Sequence, residues 1–176
     1  MPSNSTALDA EGVEFEVRVS VEKSSHTASI EYRVRNTGTA PLAVFDRGDT
    51  RTTAARAPAS GKMAAPPPSF ESVGADLSLN HLALALPKPA PTVPRVSLAT
   101  RVEAGATHEG HFVASIDASV ARLRYCLGTT PFDAATFIEQ EGVQPPAWRT
   151  PFALADTQRR LCTPWYRIAE KRFEEP

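Results

Sequence analysis

Val13-Glu14-Phe15-Glu16-Val17-Arg18-Val19-Ser20-Val21-Glu22 puts an apolar side chain at every odd position and a polar one at every even position. Successive side chains of a β-strand point to opposite faces, so this run has one face for a core and one for water. Lys23-Ser24-Ser25-His26-Thr27 interrupts the pattern. It resumes with Ala28, Ile30, Tyr32 and Val34 set against Ser29, Glu31, Arg33 and Arg35. Two such runs around a polar turn predict an antiparallel hairpin in a sheet with one buried face. The expected fold class is all-β, an antiparallel sandwich.

Strand signals continue downstream. Asn36-Thr37-Gly38-Thr39 reads as a turn, with Asn and Gly tolerating positive φ, and residues 42–45 as a third, edge strand of a meander behind Pro41. Residues 46–72 lack an apolar period and contain Pro66-Pro67-Pro68, so they are expected to form one long loop. From Leu77 the alternation returns, slips by one residue at His81-Leu82 as at a β-bulge, and continues through Leu84 and Leu86. Pro87, Pro89, Pro91 and Pro94 form an extended connector. Further strands are expected at 96–102, at Phe112–Ala114–Ile116 and at 120–127, where Leu123, Tyr125 and Leu127 share a face, with a turn at Glu103-Ala104-Gly105-Ala106. Asp133 is placed to cap a short helix over 133–140, and residues 158–164 read as a closing strand or a helix end. Strands spaced by about ten residues predict a sandwich of about seven strands.

The chain has 176 residues and a net charge of −1, enough for one domain with a core of its own. The expected limits are a disordered leader at 1–11, a single domain at 12–170 and a charged tail at 171–176. Near-neutral charge argues against nucleic acid as partner. No apolar stretch approaches the roughly 20 residues of a membrane-spanning helix, so no membrane insertion is expected. Sixteen prolines against nine glycines favour extended segments over long helices. The polar start Met1-Pro2-Ser3-Asn4-Ser5-Thr6 is no secretory signal. It reads as what remains of an exported bacterial domain behind its anchor, giving a periplasmic or envelope location, with the cytoplasm as alternative.

Few residues invite chemistry. Cys126 and Cys162 are the only cysteines and occupy similar settings, Arg-Tyr-Cys-Leu and Arg-Leu-Cys-Thr. They are a disulfide pair if they lie on neighbouring strands, and small apolar side chains otherwise. His108-Glu109-Gly110-His111 has two metal-ligating side chains, but residues three apart on a strand face opposite sides. His108 and His111 are therefore weak metal candidates, and no metal or cofactor is expected. No Gly-x-Ser-x-Gly elbow or glycine-rich phosphate loop occurs. The pairs Glu139/Glu141 and Glu174/Glu175 read as solvated surface, so no enzyme is expected. Arg47-Gly48-Asp49, followed by Arg51, spells an adhesive tripeptide on a loop expected to be exposed. Trp165 and Tyr166 lie among arginines near the C-terminus, either plugging the core or forming a contact surface for a protein.

Tyr32-Arg33-Val34-Arg35-Asn36-Thr37-Gly38-Thr39-Ala40-Pro41-Leu42, the turn at Glu103-Ala104-Gly105 and the strand ending Leu123-Arg124-Tyr125-Cys126-Leu127-Gly128 resemble bacterial immunoglobulin-like domains of uncharacterised role. More distantly they resemble the β-sandwich of intracellular proteinase inhibitors. The resemblance spans residues 12–128 in outline. It implies an immunoglobulin-like arrangement but transfers no reactive-site residue, because one sandwich fold hosts many functions. The expected function is a non-enzymatic binding or assembly module whose loops meet a protein partner. Arg47, Asp49, Arg51, Trp165 and Tyr166 are the candidate contacts. The alternatives are a proteinase inhibitor and a metal- or small-ligand-binding domain.

Overall fold

In the computed structural model, which describes residues 3–51 and 63–176, the quoted run forms a ten-residue strand paired along its whole length. In chain order the strands are β1 (Ser5–Ala10), β2 (Val13–Glu22), β3 (Thr27–Asn36), β4 (Leu42–Val44), β5 (Met63–Ala64), β6 (Ser69–Val73), β7 (Asp76–His81) and β8 (Leu98–Val102). They continue as β9 (Thr107–Ser115), β10 (Arg122–Pro131), β11 (Ile138–Glu139), β12 (Trp148–Arg149), the one-turn helix α1 (Leu154–Thr157), β13 (Arg159–Cys162), β14 (Tyr166–Arg167) and β15 (Arg172–Phe173). The protein is an all-β sandwich. The first sheet has the order β1-β2-β3-β9-β5. The second runs β11-β12-β8-β4-β10-β14-β15, with β13 and β7 also on β10, and β6 on β7.

The inward positions of β2 and β3 are those that the alternation marks. Val13, Phe15, Val17, Val19, Ala28, Ile30, Tyr32 and Val34 are all buried. They pack against Leu77, Leu79, Leu123, Tyr125 and Leu127 of the second sheet, so one apolar layer joins the two sheets. The outward positions of the hairpin carry opposite charges across the ladder, such as Arg33 near Glu16 and Arg35 near Glu14.

Several boundaries differ from expectation. Residues 5–10 of the expected leader are β1, joined to β2 by a hairpin whose Glu11-Gly12 loop has Gly12 at φ +79°. Thr6, Leu8 and Ala10 turn inward, but these residues are too small and too few to read as a strand. Residues 172–173 of the expected tail are β15, anchored by Phe173 against Tyr166 at 5.2 Å between ring centres. The expected 46–72 loop is broken up. Residues 52–62 lie outside the described residues, whereas 46, 47 and 49 are buried and β5 and β6 occupy most of 63–73. The third strand does not extend the meander: β4 crosses to the second sheet and pairs β8 and β10.

The Asn36 turn works by hydrogen bonding rather than positive φ. The Asn36 amide donates to the Ala40 and Val102 carbonyls, and its oxygen accepts from Gly38 N–H. The slip at His81-Leu82 is not a bulge, because β7 ends at His81 and residues 82–95 run on as irregular chain. Asp133 caps only a turn, taking Ala135 N–H and the Thr136 hydroxyl. Ile138–Glu139 then pairs β12, and the one-turn helix α1 lies later in the chain. Residues 159–162 are the closing strand β13.

Candidate functional site

Tyrosines on the inward face of an apolar strand bring hydroxyls into a core, and a buried hydroxyl needs a partner. Tyr32 finds Asp46, the residue two beyond β4, and donates to Oδ2 at 2.6 Å. Thr100 of β8 donates to Oδ1 at 2.7 Å, and His108 of β9 donates from Nε2 to Oδ2 at 2.5 Å. Burial works to raise the Asp46 pKa. The His108 charge and the three donors outweigh it and hold the carboxyl at about 2. Burial likewise pushes His108 down, and the Asp46 carboxylate outweighs it, so its pKa is raised. Asp46 thus ties β3 and β9 of one sheet to the β4 end and β8 of the other. Gly110 makes the reach possible, since a Cβ there would clash with the Tyr32 hydroxyl and the ring edge that bears it.

Tyr125 lies beside Tyr32, with 5.4 Å between ring centres, and shares its hydroxyl with His81 Nδ1 at 2.8 Å. The other nitrogen of His81 meets the Pro66 carbonyl at 2.7 Å. A carbonyl only accepts, so Nε2 carries the proton and Nδ1 accepts from Tyr125. Burial lowers the His81 pKa, against the Pro66 carbonyl and Asp46, which favour the charged form. These six side chains are satisfied largely by one another and by the backbone, which makes them ties within the core.

Two of the sequence-derived contact candidates remain on the surface. Arg51 is exposed, and Trp165 is half-buried on the outer face of the second sheet, with the Arg124 and Arg122 guanidinium carbons 4.6 and 5.0 Å from its ring centre. Tyr166 is a core residue. The Arg47-Gly48-Asp49 tripeptide is not displayed. Arg47 is 2% exposed and donates to the Pro146 carbonyl, and Asp49 is 5% exposed and accepts the Arg51 N–H. Strand-like pairing of Asp49 with Ser97 draws this turn into the fold. His108 and His111 diverge, His108 turning inward to Asp46 and His111 lying on the opposite face of β9. No group of three metal-ligating side chains occurs among the described residues. Cys126 and Cys162 face each other across β10 and β13 and form a disulfide.

Sequence reasoning passed over a cleft at one end of the sandwich. Its larger lobe, of about 350 Å³, lies between Gly48–Asp49, Pro66–Ser69 and the end of β7, with Leu82, Leu84 and Arg95 opposite. A smaller lobe, of about 270 Å³, shares Leu84 and Arg95 and adds Arg51, Ala85, Pro87, Pro91 and Val93. The irregular 82–95 segment is held at its root. Gln158 accepts from the Ala83 N–H and donates to the Ala83 carbonyl, and Leu84 N–H donates to the Ser97 hydroxyl. Leu84, Leu86 and Val93 stay exposed on this segment. The clue in the sequence is the loss of alternation after His81, which marks where the chain leaves the sheet.

Comparison with known proteins gives no relative: no family model matches the chain, and neither the curated proteins nor the solved structures contain a significant match.

Proposed function

We propose that the protein is a non-enzymatic binding or assembly module, an immunoglobulin-like sandwich that meets a protein partner through the cleft at one end. The observation that carries this reading is the 82–95 segment, which leaves Leu84, Leu86 and Val93 exposed although its root is pinned by Gln158 and Ser97. Apolar side chains held on a fixed loop are what a recognition surface needs, because little ordering entropy remains to be lost on binding. A non-enzymatic role is favoured by the buried polar cluster, whose carboxylate is already saturated by donors of the fold. The disulfide favours an oxidising compartment such as the periplasm or envelope.

The test is a pull-down from envelope and soluble fractions with the wild-type protein, Leu84→Glu and the surface control Val113→Glu on β9. A stoichiometric partner retained by the wild type and the control, but lost with Leu84→Glu, supports the reading. A partner held equally by all three proteins, or none, refutes it.

A further inference from the structure

The smaller lobe of the cleft has an unusual chemistry. Its walls are apolar, made by Leu84, Pro87, Pro91 and Val93, and its only charged lining groups among the described residues are Arg51 and Arg95. The Arg51 guanidinium is held in place by the Val93 carbonyl at 2.7 Å. Arg95 meets no carboxylate among the described residues. Proline brings no N–H, so the two proline walls offer a ligand no backbone donor, and the arginines are the side-chain donors of the lining. A guanidinium fork matches a carboxylate in two parallel hydrogen bonds, and an anion between two cations relieves their mutual repulsion.

We infer that this lobe captures the free C-terminal carboxylate of a partner polypeptide whose last residue is apolar. The inference rests on the binding reading above and names the partner's recognised end. The size fits, since about 270 Å³ lies below the roughly 300–1,000 Å³ of pockets that enclose whole drug-sized ligands. That is room for one terminal residue with its carboxylate. The larger lobe is lined by the same Leu84 and Arg95, and there Ser69 and Asn80 supply polar groups for the residues that precede the terminus. That continuity selects a chain end over an isolated small acid.

The experiment is fluorescence anisotropy with labelled pentapeptide pools ending in Leu, Val or Phe, each prepared as free acid and as C-terminal amide, with octanoate as competitor. The free acids are expected to bind saturably and the amides at least about tenfold more weakly. Arg51→Gln and Arg95→Gln should each weaken the acids by about tenfold and leave the amides unchanged, with unaltered melting temperatures showing that both variants fold. Equal binding of acids and amides, binding indifferent to both substitutions, no binding of any pool, or octanoate binding as tightly as the peptides would each overturn the inference. The pull-down separates the two failures. A partner lost with Leu84→Glu but kept by both arginine variants leaves the binding module standing and removes the carboxylate from its recognition.

Discussion

The first sheet is built on three consecutive strands, whereas β10 of the second collects its partners from distant segments. β2 and β3 pair in register from Val13–Asn36 to Glu22–Thr27 across a short turn, and β9 joins the same hairpin. In the second sheet β10 is flanked on one side by β7 and β4 and on the other by β13 and β14, pieces taken from residues 42–44, 76–81 and 159–167. The first sheet carries its pairing information in a strict period of two. The second is fixed by specific ties: the Asp46 cluster, the Cys126–Cys162 bridge and the Gln158 clamp on Ala83. Order in the first is a property of pattern, and in the second a property of particular side chains.

Breaking the tie between the sheets should therefore cost most. Asp46→Ala leaves His108 and Tyr32 buried without their acceptor and is expected to lower the unfolding free energy by about 3–5 kcal/mol, measured by urea denaturation. Next is the bridge of β10 to β13. Cys162→Ser removes a cross-link between residues 36 apart in sequence and should cost about 2–4 kcal/mol by the same measurement under oxidising conditions.

Acidity and alkalinity probe the same tie without a mutation. The Asp46 carboxyl is held at about 2, below its ordinary 3.8, so its contribution is present above about pH 4 and is lost as the pH falls towards 2. The His108 pKa is raised above its ordinary 6.5, so its contribution is complete below about pH 6.5 and is lost as the pH rises through the raised value. The Asp46–His108 contribution to the melting temperature should be fullest between about pH 4 and 6.5 and fall on both sides, while His81, whose lowered pKa keeps it neutral in the core, adds a loss of its own below about pH 6.5. His108→Gln should remove the alkaline fall, and a slope unchanged by that substitution would place the titration elsewhere. The smallest effect belongs to the first sheet's outer face. Arg33→Ala breaks contacts of 3.8 Å with Glu16 and Glu109 that are half exposed, and should shift stability by less than about 1 kcal/mol.

The same contrast explains what could be read from the chain. The β2–β3 hairpin and the inward set Leu123, Tyr125 and Leu127 are legible because each announces itself within a few residues, whereas residues 158–164 read equally as a strand or a helix end, and their pairing with β10 decides it. The placement of β4 is not, since nothing in Leu42-Ala43-Val44 says which sheet it joins; its partners lie at residues 100–102 and 129–131. β1 is hidden by its small side chains and β15 by its length of two residues. The burial of Arg47 and Asp49 follows from Pro146 and Ser97, which are far away in sequence. Tyr32 and Tyr125 did carry a signal of the Asp46 cluster, because an inward hydroxyl demands a partner. The cleft was signalled only by the end of alternation at His81, and which segments face it is a matter of tertiary arrangement.

The central position of β10 also governs time. The β2–β3 hairpin closes a short loop and can form early, within microseconds by the pace of isolated hairpins. β10 reaches its full complement only when β4, more than eighty residues upstream by its number, and β13 and β14 have all arrived. Such long loop closures are slow, and proteins dominated by them fold in roughly milliseconds to seconds. During that interval the valine-lined face of the hairpin waits uncovered, so the assembly order of the fold, and not its final stability, sets the window in which nascent chains can associate wrongly.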